Sequence, residues 1–115
     1  MTPNEFKQRT KAFALRVIRL VESLPRSRVA GVIGGQLLRC GTSVGANYRA
    51  ACRARSSAEF TAKMGIVEEE CDESAYWIEL LVEAGIVKES RVSSLLNEAE
   101  EILSMVVASI KTSRR

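Results

Sequence analysis

Histidine is absent from the chain. That removes the Ser-His and Cys-His nucleophile pairs, the commonest general base and the commonest metal ligand. It also removes the Glu-x-x-His pairs that hold di-metal centres in ferritin-like bundles. Only two prolines and seven glycines occur in 115 residues, so long stretches are free of helix breakers. No segment alternates apolar and polar residues for the length of a strand, which argues against sheet. No uncharged apolar run approaches the roughly 18 residues of a membrane span, and the opening "MTPNEFKQRTK" lacks the apolar core of a secretory signal. The cysteines, Cys40, Cys52 and Cys71, are odd in number and lack metal-type pairing. Each falls on or beside an apolar helical face, where a free thiol behaves as a small hydrophobe. The expectation is one all-α domain over residues 1–115, in a reducing cytoplasm, without metal, cofactor, membrane contact or enzymatic activity.

What the chain does carry is charge, unevenly placed. Residues 1–63 hold 12 Lys/Arg against 3 Asp/Glu, a net of +9, and residues 64–115 hold 5 against 11, a net of −6. Such a split marks either a nucleic-acid face on one half or two halves that neutralise each other on packing.

Four helices follow from apolar periodicity, at about 4–24, 29–54, 57–84 and 90–111. The first is read with Asn4 as its N-cap and a stripe of Phe6, Phe13, Val17, Leu20, Val21 and Leu24; Pro25 stops it. The second puts Ile33, Leu37, Cys40, Val44, Tyr48 and Ala51 on one side. Gly41 and Gly45, four apart, border that side as in closely packed helix pairs. Ser56 followed by Glu59 is a capping box for the third helix, and Gly85 is its left-handed C-terminal stop. The third helix carries a main stripe of Phe60, Met64, Val67, Cys71, Ala75, Ile78 and Val82. A second stripe of Ile66, Trp77, Leu80 and Ala84 lies away from it. A monomeric bundle helix needs one core-facing stripe, so the second one asks for another partner. The fourth helix presents Val92, Leu95, Leu96, Ala99, Leu103, Val106 and Ile110, and the basic end "KTSRR" is expected to fray. Short connections between long helices favour an antiparallel up-down-up-down four-helix bundle.

The stretch "RCGTSVGANYRAACRARSSAEF", residues 39–60, combines four arginines with very small side chains. Arg39, Arg49 and Arg53 rise from the back of the second helix, with Arg55 in the following turn. Guanidinium forks suit phosphate oxygens, so these four form a candidate nucleic-acid track. The competing reading pairs them with third-helix carboxylates, within or between subunits. Aromatic platforms for stacked bases are nearly absent, because Tyr48 belongs to the apolar side, so binding would depend on backbone and shape. On the third helix, "EEECDE" sets Glu69 and Glu73 four apart and Glu70 and Glu73 three apart. A carboxylate metal site is weaker there than a solvated face or an arginine partner. "GVIGGQ" lacks the Gly-Lys-Ser/Thr ending of a P-loop and is read as close packing or a soft first turn. Trp77, with Ile66, Glu70, Glu73 and Leu80, forms a candidate oligomer interface, since tryptophan is enriched in buried anchors.

The same stretch, followed by "KMGIVEEECDESAYWIELLVEAGIV", resembles the four-helix bundle proteins also called 23S rRNA intervening sequence proteins. The resemblance lies in Thr42, Ser43, Val44, Gly45, Ala46 and Asn47, in Arg55 and Ser56, in Glu70, Glu73 and Ser74, and in Tyr76 to Leu81. It implies a long antiparallel bundle assembling into a homopentameric barrel. The chain is also distantly similar to the accessory variability determinant of diversity-generating retroelements, a basic pentamer that binds nucleic acid and works with a reverse transcriptase. RNA or DNA and a reverse transcriptase or other protein are therefore the partners that the resemblance implies. Two positions depart from the family pattern, Ala50 where an acid is common and Glu69 where a lysine is. The functional expectation is an oligomeric helical scaffold with sequence-tolerant nucleic-acid binding. The alternative is a protein–protein adaptor whose arginines are used in salt bridges.

Overall fold

The structure, a computed structural model, describes residues 1–114. Four helices and no strand are present among them: α1 (Pro3–Glu22), α2 (Arg28–Cys52), α3 (Ser57–Glu83) and α4 (Glu89–Ser113). Each expected helix is found, and the differences lie at the ends. α1 is capped by Thr2, not Asn4. The Thr2 hydroxyl accepts from the Glu5 amide at 3.1 Å while the Glu5 carboxylate accepts from the Thr2 amide at 3.1 Å. Pro3, whose fixed φ suits the first helical position, completes a Thr-x-x-Glu box that outcompetes a lone Asn. α1 stops at Glu22, because Leu24 precedes Pro25 and is disfavoured in the helical region.

Ser27 caps α2 by accepting from the Ala30 amide, 3.1 Å. Ser56 caps α3 through the Glu59 amide, 3.1 Å, but Glu59 returns its carboxylate to the Arg55 amide, 3.2 Å, one residue earlier than a full capping box requires. At the far end of α3, Gly85 has φ +74°. The Ile86 and Gly85 amides there donate to the Leu81 and Val82 carbonyls, both at 2.9 Å, closing a Schellman motif. α4 begins at Glu89, and its N-cap Lys88 makes no side-chain cap hydrogen bond. It extends two residues past Lys111, where Thr61 and Ser113 hydroxyls meet at 2.8 Å. The expected fraying of "KTSRR" therefore does not hold for residues 111–113, and Arg115 lies outside the described residues.

The bundle is a rod, 45 × 22 × 20 Å. α2 packs most extensively on α3, α1 on α2 and α3 on α4, while α1 and α4 touch least. Gly34, Gly41 and Gly45 of α2 face Val21, Val17 and Thr10 of α1 in turn, so the two helices run antiparallel. Thr61 beside Ser113 and Cys71 beside Ala99 show the same for α3 and α4.

The core follows a tighter repeat than the straight-helix reading expected. On α3 the buried positions are Met64, Val67, Cys71, Ser74, Ile78 and Leu81, and on α1 Phe6, Thr10, Phe13, Val17 and Leu20. These steps alternate three and four, the 3.5 period of mutually wound helices. The shift brings Leu81 and Ser74 inward and leaves Ala75 and Val82 half-buried. Thr10 is tolerated because its hydroxyl donates to the Phe6 carbonyl, 3.0 Å, and Ser74 likewise donates to the Glu70 carbonyl, 2.8 Å.

Candidate nucleic-acid interface and association face

α2 carries the site because its two sides are built differently. Towards α1 it is smooth: a Cβ added at Gly41 would lie 2.8 Å from Val17 Cγ1, and one at Gly45 would lie 3.0 Å from Thr10 Oγ1. The small residues thus seat α1. They do not seat the helix whose carboxylates the arginines could reach. A Cβ added at Gly31 or Gly35 of "GVIGGQ" would meet nothing within 4 Å, so only Gly34 there serves close packing.

The four arginines separate into two groups. Arg39 lies at the α2–α3 groove, where Nη1 is 3.3 Å from Glu70 Oε2 and Nη2 is 3.6 Å from Glu73 Oε2. These carboxylates raise the Arg39 pKa, Glu70 most. The Arg39 side chain keeps 51% of its exposure, so the pair is a groove-edge contact that solvent screens. Arg49, Arg53 and Arg55 are exposed, and no carboxylate of the described residues lies within ion-pair distance of any of them. Pairing with α3 thus accounts for Arg39 alone among the four. Correspondingly, Glu70 and Glu73, expected at a contact between subunits, are engaged by an arginine of their own chain.

The second stripe sits along the same groove. Trp77 is half-buried against the core, its ring meeting Tyr76 edge-on at 5.2 Å. Its Nε1 is buried without a hydrogen-bond partner among the described residues. Leu80 is half-buried, and Ile66 and Tyr76 are exposed. On α2, Val29 and Val32 are 56% and 60% exposed. Large apolar side chains are thus left to water on two adjoining helices.

Sequence reasoning missed the strongest ionic contact. Arg9 of α1 forks onto Glu98 of α4, with Nε to Oε2 at 2.8 Å and Nη2 to Oε1 at 2.7 Å. Arg9 also reaches Glu101 Oε1 at 3.3 Å. Its hydrogen bonds hold the Glu98 carboxyl below its ordinary range. The available signal was positional, since Arg9 flanks the stripe of α1 and Glu98 flanks that of α4. The thiols offer no reactive centre at the core, because burial pushes Cys71 up to about 12 and raises Cys40 as well. Cys52 is exposed, so the small-hydrophobe reading fits Cys40 and Cys71 only. Among the described residues, no helix is long and apolar enough to cross a membrane.

Comparison with known proteins adds three findings. The sequence model of the 23S rRNA-intervening sequence protein family matches residues 3–108. The chain is similar to a Bacteroides thetaiotaomicron protein of unknown function from the S23 ribosomal protein family, whose crystal structure shares 35% identity at a TM-score of 0.89. That match covers 96% of this chain and 99% of the other. No functionally curated protein matches significantly.

Proposed function

We propose for this chain, which belongs to the 23S rRNA-intervening sequence protein family, the role of a non-enzymatic helical scaffold. It self-associates through the α2–α3 side and binds nucleic acid electrostatically through α1 and α2. One observation carries the binding half of this reading. Of the 12 Lys/Arg in residues 1–63, only Arg9 and Arg39 have a carboxylate of the described residues within 4.0 Å, leaving ten cations uncommitted. Neutralisation between halves consumes two arginines, too few to account for a net of +9. A surface of this kind suits phosphate contacts that position a backbone without reading bases.

The association half rests on Val29 and Val32 of α2 and Ile66 and Tyr76 of α3, large apolar side chains exposed on adjoining helices. A closed ring of five copies is the form that the family resemblance favours, and head-to-tail contacts would build it. The adaptor reading, with no nucleic-acid binding, draws on the same surface together with the Arg39 pairs.

Ionic strength separates the two. Under the scaffold reading, RNA or DNA binds at low salt and dissociates as salt rises, with log K falling by about 0.7 per phosphate contact for each tenfold rise in salt on single strands. Arg49→Ala with Arg53→Ala weakens that binding without changing the mass of the assembly. Wild-type protein that binds neither RNA nor DNA at low salt would leave the adaptor.

A further inference from the structure

The least packed seam of the bundle holds a feature that the α2 track does not use. Between the second half of α1 and the first turns of α4 lies a cavity of about 260 Å³, lined by Arg16, Arg19, Leu20, Arg91, Val92 and Leu95. Leu20, Val92 and Leu95 are buried and form an apolar floor. Three guanidinium groups stand around it with no carboxylate of the described residues within ion-pair distance. Arg16 spends one donor on the Ser94 hydroxyl, Nη2 to Oγ at 3.0 Å. No side-chain hydrogen bond is formed by Arg19 or Arg91 among the described residues.

The register of the seam makes this composition informative. α1 and α4 run antiparallel, with Arg9 opposite Glu98. Seven residues further along α1 stands Arg16, and seven residues back along α4 stands Arg91. Where the repeat would place a second ion pair, two cations face each other, and Arg19 adds a third. Like charges gathered over an apolar floor repel more strongly than in open water. They also focus a positive potential into the cleft between them. After Arg9, Arg16 helps to lower the Glu98 carboxyl pKa, but none of the three arginines has a carboxylate of the described residues within 4.0 Å.

We propose that the α1–α4 cleft is a phosphate-binding site, with Arg16, Arg19 and Arg91 supplying forked donors to one or two phosphate groups. The volume is roughly that of eight or nine waters, enough for a phosphate with part of its hydration. This assignment deepens the nucleic-acid reading and rests on it for its natural ligand, a backbone phosphodiester. A small phosphorylated molecule shares the same chemistry. Arg91, from the acidic half of the sequence, is the residue that charge counting would never have assigned to this task.

The test uses the whole chain carrying Arg16→Gln, Arg19→Gln and Arg91→Gln, changes on a half-buried and two exposed helical positions. Binding of a fluorescent RNA homopolymer is followed by anisotropy against salt, and binding of inorganic phosphate by phosphorus NMR line width. The expected result is about a tenfold or greater loss of RNA affinity at low salt, with a salt slope shallower by about 0.7 for each backbone phosphate that the variant no longer neutralises. Phosphate broadening should be seen with wild type and be absent from the variant, with helix content and assembly mass unchanged. If the variant binds RNA with wild-type affinity and slope, the cleft assignment is overturned while the scaffold reading stands. Phosphate broadening that disappears in the variant, with wild type binding no RNA or DNA, keeps the cleft, assigns it a small phosphorylated molecule and removes the scaffold reading. Should the variant change the mass of the assembly, the cleft is a contact between subunits and the proposal fails.

Discussion

Replacing Gly41 by alanine tests the seating of α1 on α2, and its size can be worked from the coordinates. The new Cβ would stand 2.8 Å from Val17 Cγ1, 2.9 Å from Cγ2 and 3.2 Å from Cβ. Val17 is fully buried and β-branched, so it has one comfortable rotamer on a helix and nowhere to swing. The clash is relieved only by moving the helices apart, which belongs in the upper part of the roughly 1–3 kcal/mol range for overpacking. Alanine returns about 1 kcal/mol of helix propensity at an interior position, leaving a net loss of about 1–2 kcal/mol. Gly35 provides the control, since a Cβ there meets nothing within 4 Å, and Gly35→Ala should gain about 0.5–1 kcal/mol. The difference between the two alanines cancels propensity and isolates the contact, about 2–3 kcal/mol, or on the order of 10 °C in melting temperature. Denaturant unfolding at one fixed protein concentration measures it. Equal stability of the two variants would refute the packing argument. So would failure of Val17→Ala to rescue Gly41→Ala, because removing both Cγ atoms must make room for the new methyl.

Arg9→Met should destabilise by about 1–3 kcal/mol at neutral pH, since it leaves Glu98 half-buried without its fork. The Glu98 pKa is depressed in the folded state. Its contribution is therefore complete above the ordinary carboxylate pKa and lost as pH falls through the lower folded value. Denaturant midpoints should accordingly converge for wild type and variant on acidification from about pH 5. Arg39→Ala should leave stability nearly unchanged, because solvent screens its exposed pairs, and should weaken RNA binding less than Arg49→Ala with Arg53→Ala does; the opposite ranking in an anisotropy titration would return Arg39 to the proposed phosphate track. Trp77→Phe removes an N–H that has no partner among the described residues, so it should leave folding stability nearly unchanged. Trp77→Ala should reduce the mass of the assembly in light scattering, and an intact assembly would take Trp77 out of the association face.

The number of helices, their order and nearly all their turns were legible because each carries local chemistry: Ser56 at a cap, Gly85 at a stop, Pro25 at a break. Gly41 was legible for the same reason, since small residues four apart on a polar-backed helix have few other uses. Less legible was the phase of the core. A straight helix drifts about 20° per heptad against a 3.5 repeat, so extrapolating 100° per residue along α3 selected Ala75 and Val82 where the wound helix buries Ser74 and Leu81. Ser74 and Thr10 escaped for a second reason, because they are polar by composition and become acceptable in a core only once a backbone carbonyl of the preceding turn accepts from each. Cross-bundle partners such as Arg9 with Glu98 depend on the register between helices far apart in sequence, which no single helix encodes.

The charge asymmetry acquires its meaning only from the packing order. α1 lies on α2 and α3 on α4, and the broadest contact joins α2 to α3, so the +9 and −6 halves become two long sides of one rod that meet mainly through the α2–α3 contact. The two arginines that do cross, Arg9 and Arg39, each meet two carboxylates, so the crossing contacts remove little charge from the basic side. Copies of such a rod repel when basic sides meet and attract when a basic side meets an acidic one. That preference opposes a two-fold contact of a basic side with itself and favours a head-to-tail arrangement, which closes into a ring when the rotation permits. Each copy then buries acid against base at its neighbours, and the basic surface that survives is repeated by the symmetry. Phosphate contacts too weak to hold one rod on a nucleic acid become effective when several sites act on one strand, because the second contact is intramolecular. On this logic assembly and binding are coupled, and a substitution such as Trp77→Ala that dissolves the assembly should also abolish RNA binding at salt concentrations where the assembled protein still binds. Wild-type affinity retained by a dispersed Trp77→Ala chain would show that one rod suffices and that the repeated surface has no part in the binding.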